Sequence, residues 1–445
     1  MTIENSSKND NGIDKNYILK VFSSLDNLII YRNLNKDKII FDLKNIILNK
    51  NNLDKSTLKK KFTELTARLI EFTEKKGLND DIWHNYLIGL IINDLNSFTK
   101  KAEKREIDEN STLYSVTLKD IELLTAAFNI SFLNLLEFFN MDHYNFLFPY
   151  QADGKNKSNL DTYKNLFSSI KNIDSKSITA DPQKMINSLL EFYNKNGAAV
   201  LNKSSAFYWK NSALKIVKNP DKITFKEIIA YQKQKDKLIA NTESFLKGKK
   251  AHNVLLYGDS GTGKSSSVKA LLNEYQNQGL RLIEISSNQI KELPQILEYL
   301  SQRGLYFIIF MDDLSFEEFE TEYKYLKAVM EGGIELKPDN VLFYATSNRR
   351  HLVREKWQDR ESEVHKNDIL NEKLSLAERF GLTLMYNTPA QEEYLKIVRE
   401  IAEQENIKMD KNSLEEKALK WSQWNNGRSG RSARQFVDEL LKNRD

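Results

Sequence analysis

The octapeptide Gly258-Asp259-Ser260-Gly261-Thr262-Gly263-Lys264-Ser265 limits what this chain can fold into more than any other stretch. Four residues separate Gly258 from Gly263, and Lys-Ser follows, the pattern of a loop that turns backbone N–H groups inward around phosphate oxygens. Such a loop works only between a strand and the positive end of a helix. The flanking text agrees: Asn253–Tyr257 is a short apolar run, and Ser265–Gln276 has helical spacing. Lys264 is expected to neutralise the β- and γ-phosphates, and the Ser265 hydroxyl to ligate Mg²⁺. ATP with magnesium is the expected ligand. Gly258, Asp259, Ser260, Gly261, Thr262, Gly263, Lys264, Ser265 and the adjoining Ser266 are its candidate contacts.

A second acidic site fits the same chemistry. Phe307-Ile308-Ile309-Phe310-Met311 reads as a buried strand, and it ends at Asp312-Asp313. Carboxylates at the C-terminal end of a parallel strand face the ligand crevice. Asp312 is placed to hold magnesium and Asp313 to polarise an attacking water. An acidic cap on the following helix would read the same way without the phosphate loop upstream. The next strand ends in Thr346-Ser347-Asn348, where a polar side chain can orient water or touch the γ-phosphate, though Asn after a strand is also a common turn residue.

After Pro220, short apolar runs at 253–257, 281–285, 306–311, 341–347 and 383–386 alternate with helical patterns such as 317–330, which predicts a parallel sheet covered on both faces. From Pro389 onward, three helical segments without strands read as a small lid, with a loop at 425–430. Upstream the text is different. Residues 1–15 are a polar tail expected to be disordered. Ile18, Val21, Phe22, Leu25 and Leu28 recur at helical steps, as do Phe62, Leu65, Leu69 and Phe72. The expected organisation is therefore a tail (1–15), an all-α N-terminal domain (16–215), an α/β nucleotide-binding domain (220–388) and a helical lid (389–445). The aromatic stripes of the N-terminal domain read as core rather than as a ligand site.

Composition removes several alternatives. The 445 residues include no cysteine and five scattered histidines, so disulfides, thiolate zinc sites and a cysteine nucleophile are excluded. Lys and Arg exceed Asp and Glu by five over residues 1–220 and fall one short thereafter, too weak an imbalance to indicate nucleic acid. With no apolar leader and no long apolar run, a membrane span is not expected and the cytoplasm is the default location.

Phosphate loop, Asp pair and a strand ending in Thr-Ser-Asn together resemble the AAA+ class of ATPases. Ile223–Tyr231 resembles the segment of that class whose backbone holds the adenine, which brings in Ile229 and Ala230; the class usually has Gly where this chain has Ala230. Leu374–Leu382 resembles the arginine-finger segment, implying that Arg379 reaches the γ-phosphate of a neighbouring subunit. Gly430–Arg434 resembles the sensor-arginine motif of the lid, with Arg431 and Arg434 both candidates. A narrower resemblance, carried by Asp312–Glu317, Met330–Ile334 and Ala345–Leu352, is to a bacterial family of predicted ATP-binding proteins of unknown function; Arg349 and Arg350 gain interest only through that wording. Asp313 stands where the class usually has Glu and is one methylene shorter, so Glu317, one helical turn on, is the alternative activator of water. Slow turnover follows from either arrangement.

The resemblance implies an Mg-dependent ATP hydrolase that forms an oligomer, a hexamer among the options, and remodels or loads a macromolecular partner held by the N-terminal helical domain. The alternative is a slow nucleotide-dependent adaptor or switch, with a DNA-related loader as one version. No aromatic-hydrophobic-Gly loop follows the second strand, which leads instead into Ser286–Ile290, so threading of a polypeptide is not expected.

Overall fold

The computed structural model describes residues 13–153, 160–174, 177–314, 322–331, 337–348, 378–425 and 427–442. It divides into two compact units, Met1–Lys203 and Ser204–Asp445.

The first unit is helical apart from one short antiparallel hairpin, β1 (Lys171–Asp174) with β2 (Ser177–Ala180). Its central helix, Ile82–Asn93, is apolar around nearly its whole circumference, as a helix surrounded by others must be. The Asp81 carboxylate starts that helix by accepting from the Trp83 and His84 amides, and it also accepts from the Phe132 amide at 2.7 Å, joining two helix starts. Asp120, also buried, accepts from the amides of Ile29, Ile30 and Tyr31 and so fixes a turn that has no ladder of its own. Trp83, Phe62, Phe98, Phe128 and Phe132 lie in the core, as the aromatic stripes suggested. Among the described residues no single helix is long and apolar enough to cross a membrane.

The second unit is built on a seven-stranded sheet. Its strands are β3 (Ala206–Lys210), β4 (Ala213–Ile216), β5 (Val254–Gly258), β6 (Leu280–Glu284), β7 (Tyr306–Met311), β8 (Val341–Ser347) and β9 (Leu382–Tyr386). They lie in the order β4-β3-β6-β7-β8-β5-β9, and every pairing except β3 with β4 is parallel. Strands β7 and β8 are buried along nearly their whole length, which is why they read as continuous rather than alternating apolar runs. Three helices, Gln391–Gln404, Lys411–Trp424 and Gly430–Lys442, form the lid. A mostly parallel sheet followed by three helices agrees with the α/β domain and helical lid expected from the sequence.

The hairpin of β3 and β4 was not foreseen. Phe207, Tyr208 and Trp209 fall within the stretch expected to be helical (16–215), yet β3 pairs with β6, so the sheet begins at Ala206. The turn is formed by Asn211 and Ser212, both at φ +53°, the mirror-image geometry that suits a two-residue hairpin. Ser in place of the usual Gly hides this signal in the text.

Candidate functional site

The sheet register gathers the site. Leu256 and Tyr257 of β5 lie beside Thr346 and Ser347 of β8, and Met311 of β7 lies beside Ala345. Everything just past those pairs meets at one edge: the phosphate loop after β5, the Asp pair after β7, and Thr346 with Asn348 at the end of β8. A cavity of about 750 Å³ opens there. It is lined by Ser260 to Ser266, by Asp312, Asp313, Thr346 and Asn348, by Ile228 to Tyr231, and from the lid by Ile397, Ile401, Arg431 and Arg434.

The loop glycines are needed for their backbone. Gly258 has φ +132°, and a Cβ there would stand 2.1 Å from the Tyr386 carbonyl oxygen; Gly263 has φ +93° at the entrance to the helix Lys264–Tyr275. Lys264 is buried, and its ammonium donates to the carbonyls of Gly258 and Asp259, each at 2.7 Å, and to Asn348 Oδ1 at 3.1 Å. All three partners are neutral. Burial holds the Lys264 pKa below the usual lysine range, while Asp259, Asp313 and Asp312 oppose that shift and Arg431 adds to it. A desolvated cation without a directly bonded carboxylate is suited to receive an anion.

The Asp312 Oδ1 oxygen accepts from two hydroxyls, Ser265 Oγ at 2.5 Å and Thr346 Oγ1 at 2.5 Å. Thr346 Oγ1 in turn accepts from the Asp313 amide at 2.9 Å. Asp313 has φ +51°, a conformation that costs a non-glycine residue about 1–3 kcal/mol and needs such support. Its carboxylate accepts from Asn348 Nδ2 at 2.8 Å. The Asn348 amide thus has its oxygen on Lys264 and its nitrogen on Asp313, which leaves only one chemically sensible orientation.

The expected magnesium ligands fit a hard cation. Ser265 and Asp312 offer a hydroxyl and a carboxylate within hydrogen-bond contact, and the described residues contain no cluster of three or more His, Asp or Glu that could hold a metal by itself. Mg²⁺ is ordinarily held in this way, by one or two protein oxygens with phosphates and waters completing the octahedron.

Other candidates divide. Ile229 and Ala230 line the cavity, and the Ala230 methyl is packed in the apolar core of the lid with Tyr394, Val398 and Ala433. Arg431 donates its backbone N–H to the Gly261 carbonyl at 3.2 Å, and Arg434 is paired with Glu405 at 2.7 Å; both face the cavity. Arg379 is not part of this cavity and is paired with Glu331 at 2.6 Å. Gly258 and Asp259 shape the loop from behind rather than lining the cavity. Glu317, Arg349 and Arg350 lie outside the described residues, as do residues 374–377 of the segment expected to carry an arginine finger.

Sequence reasoning missed the lid's Ile397 and Ile401, whose helical spacing reads only as an amphipathic face, and it missed Thr388. The Asp259 carboxylate accepts from both the N–H and the hydroxyl of Thr388, each at 2.7 Å. No motif carries that pairing.

Residues 202–444 match the family described as "Protein of unknown function (DUF815)". Among solved structures, the chain is similar to the Thermotoga maritima RuvB Holliday junction branch migration motor, at 18% identity and a TM-score of 0.36 over 49% of this chain and 64% of that one. A point variant of the same RuvB matches at 18% identity and a TM-score of 0.35, over 50% and 65%. The chain thus spans less than two thirds of those structures. No curated protein matches it.

Proposed function

On the premise that the chain belongs to the DUF815 family, whose match covers more than half of it, we propose that it binds ATP with magnesium and hydrolyses it to act on a macromolecular partner. The observation that carries this reading is the convergence of Lys264, Ser265, Asp312, Asp313 and Asn348 on one cavity through the hydrogen bonds described above.

The roles follow from the chemistry of each group. Inward N–H groups of the loop and the desolvated Lys264 bind the phosphates. Ser265 and Asp312 hold Mg²⁺, which when bound supplies positive charge against the transferring phosphoryl group. Asp313 accepts a proton from water, and Asn348 orients that water or the γ-phosphate. Ile229 and Ala230 offer backbone to the base, while Ile397 and Ile401 supply an apolar wall from the lid. Arg379, paired with Glu331 in its own chain, is assigned to a neighbouring subunit's site, which makes the working form an oligomer. The helical first unit is assigned to the partner.

Two observations favour slow, switch-like turnover over continuous motor action. Asp313 is short and its carboxylate is already engaged by Asn348. The segment Ser287–Glu292, which follows β6, is tied to the edge hairpin: Gln289 Nε2 donates to the Trp209 carbonyl at 2.6 Å, and Trp209 Nε1 donates to Glu292 at 2.7 Å. A segment held this way is poorly suited to gripping a threaded chain.

The test is a single-turnover ATPase measurement on the full chain beside Asp313→Asn and Glu317→Gln. Loss in one variant names the residue that activates water. Unchanged hydrolysis in both would remove both assignments, and absence of ATP binding by the wild type would remove the proposal.

A further inference from the structure

A phosphate-binding loop gains nothing from a carboxylate facing its ligand, because like charges repel. Asp259 nevertheless sits second in the loop, and the structure shows its charge used elsewhere. Its carboxylate is turned away from the cavity and takes two hydrogen bonds from Thr388, which hold its pKa below the usual carboxylate range. Thr388 lies between the end of β9 at Tyr386 and the first lid helix at Gln391, on the only covalent link from sheet to lid.

Further contacts join the same two parts. The Asp259 amide donates to the Tyr386 carbonyl at 3.0 Å, against which Gly258 is packed too closely for any side chain. Tyr231 donates its hydroxyl to the Asn387 carbonyl at 2.6 Å. At the far end of the lid, Arg431 N–H donates to the Gly261 carbonyl. Residues 258–261 are therefore bonded to the beginning and to the end of the lid. Among these contacts only the Asp259–Thr388 pair includes a bond between two side chains, so that bond can be removed from either end without changing the backbone.

We propose that Asp259 and Thr388 form a strap through which phosphate in the loop sets the position of the lid, making Thr388 a positioning residue for the nucleotide. The strap rests on the ATP-binding reading of the same loop. A lid so held closes Ile397, Ile401, Arg431 and Arg434 over the nucleotide only when the loop has its liganded shape. Loss of the strap leaves the loop able to bind phosphate but no longer able to order the lid.

The experiment is amide hydrogen exchange on the full chain with and without a non-hydrolysable ATP analogue and Mg²⁺, alongside affinity for a fluorescent ATP analogue. Wild type is expected to gain protection both in the loop and in lid segments from 391 to 442. Thr388→Val keeps the backbone N–H and removes the hydroxyl. It is expected to keep loop protection, lose most of the nucleotide-induced lid protection, and bind about fivefold to tenfold more weakly, at the low end of coupling between sites. Thr388→Ser is expected to restore both. Asp259→Asn with Thr388→Val should be no worse than the more severe single variant, since the two act as one unit. Equal lid protection in Thr388→Val and wild type, or additive losses in the double variant, would overturn the strap while leaving ATP binding intact. Failure of the wild type to bind the analogue would overturn both.

Discussion

Replacing Thr346 by Val offers the most direct test of how the acidic half of the site is held. Val nearly matches Thr in shape, and position 346 is only 1% exposed, so the substitution removes a hydroxyl and little else. That hydroxyl donates to Asp312 at 2.5 Å and accepts from the Asp313 amide at 2.9 Å. A hydrogen bond to a charged group contributes about 1.5–3 kcal/mol. The Asp313 amide lies in an exposed turn where water can replace its partner, so it adds little. About 2 kcal/mol, or about 30-fold, is the expected loss. It should fall on the metal-dependent part of binding. When Ser265 offers an oxygen lone pair to a cation its O–H can still donate to Asp312, and Thr346 is the second donor that fixes Oδ1; groups that orient a metal ligand in this way are typically worth about 10- to 100-fold in affinity. The assay is titration of a fluorescent ATP analogue in Mg²⁺ and again in EDTA. Affinity in Mg²⁺ should fall by about 30-fold while affinity in EDTA changes by less than about threefold, and Thr346→Ser should recover most of the loss. A similar fall in both buffers would refute the reasoning, because it would mean that the hydroxyl supports the loop as a whole rather than Asp312.

Arg379→Ala removes an ion pair that is 45% and 35% exposed at its two side chains, so stability should change by less than about 1 kcal/mol. ATPase activity per chain in the wild type should rise steeply with protein concentration and stay low and flat in the variant; a flat wild-type profile would exclude a trans role. Lys264 is protonated less readily in the folded chain than its ordinary value of 10.5, so the unfolded chain binds more protons between the lowered pKa and 10.5. Stability of the ligand-free protein should therefore rise with pH across that window. Phosphate favours the ammonium, so nucleotide binding there should take up protons, detectable by calorimetry in buffers of different ionisation enthalpy; absence of uptake would separate Lys264 from the phosphates. Gly258→Ala forces a Cβ to 2.1 Å from a backbone oxygen, and a loss of more than about 4 kcal/mol in denaturant titration is expected. A milder loss would mean that the loop can shift away from Tyr386.

Much of the site was legible because its chemistry is written in contiguous residues. Gly258 to Ser265 and Asp312-Asp313 are short words, and the parallel register of β5, β7 and β8 then aligns their ends without further instruction. Contacts between words separated by long stretches of chain were not legible. Thr388 meets Asp259 across 129 residues, and Thr346 meets Asp312 across 34; neither has a local pattern. Ala230 departs from the glycine usual at that place in the class the segment resembles. In the structure its methyl belongs to the lid's core, so the side chain that a glycine would lack has a packing role. The hairpin at 206–216 stayed hidden because its strands are short and its turn lacks glycine.

That hairpin affects how the second unit can be dissected. A fragment cut at Pro220, where the text changes texture, would lack β3 and β4 and leave β6 as a bare margin of Leu280, Leu282 and Ile283 with open backbone groups. Exposed margins of that kind recruit other chains, and insoluble material would be the expected product. A fragment beginning at Ser204 keeps its own cover and is the one suited to expression alone.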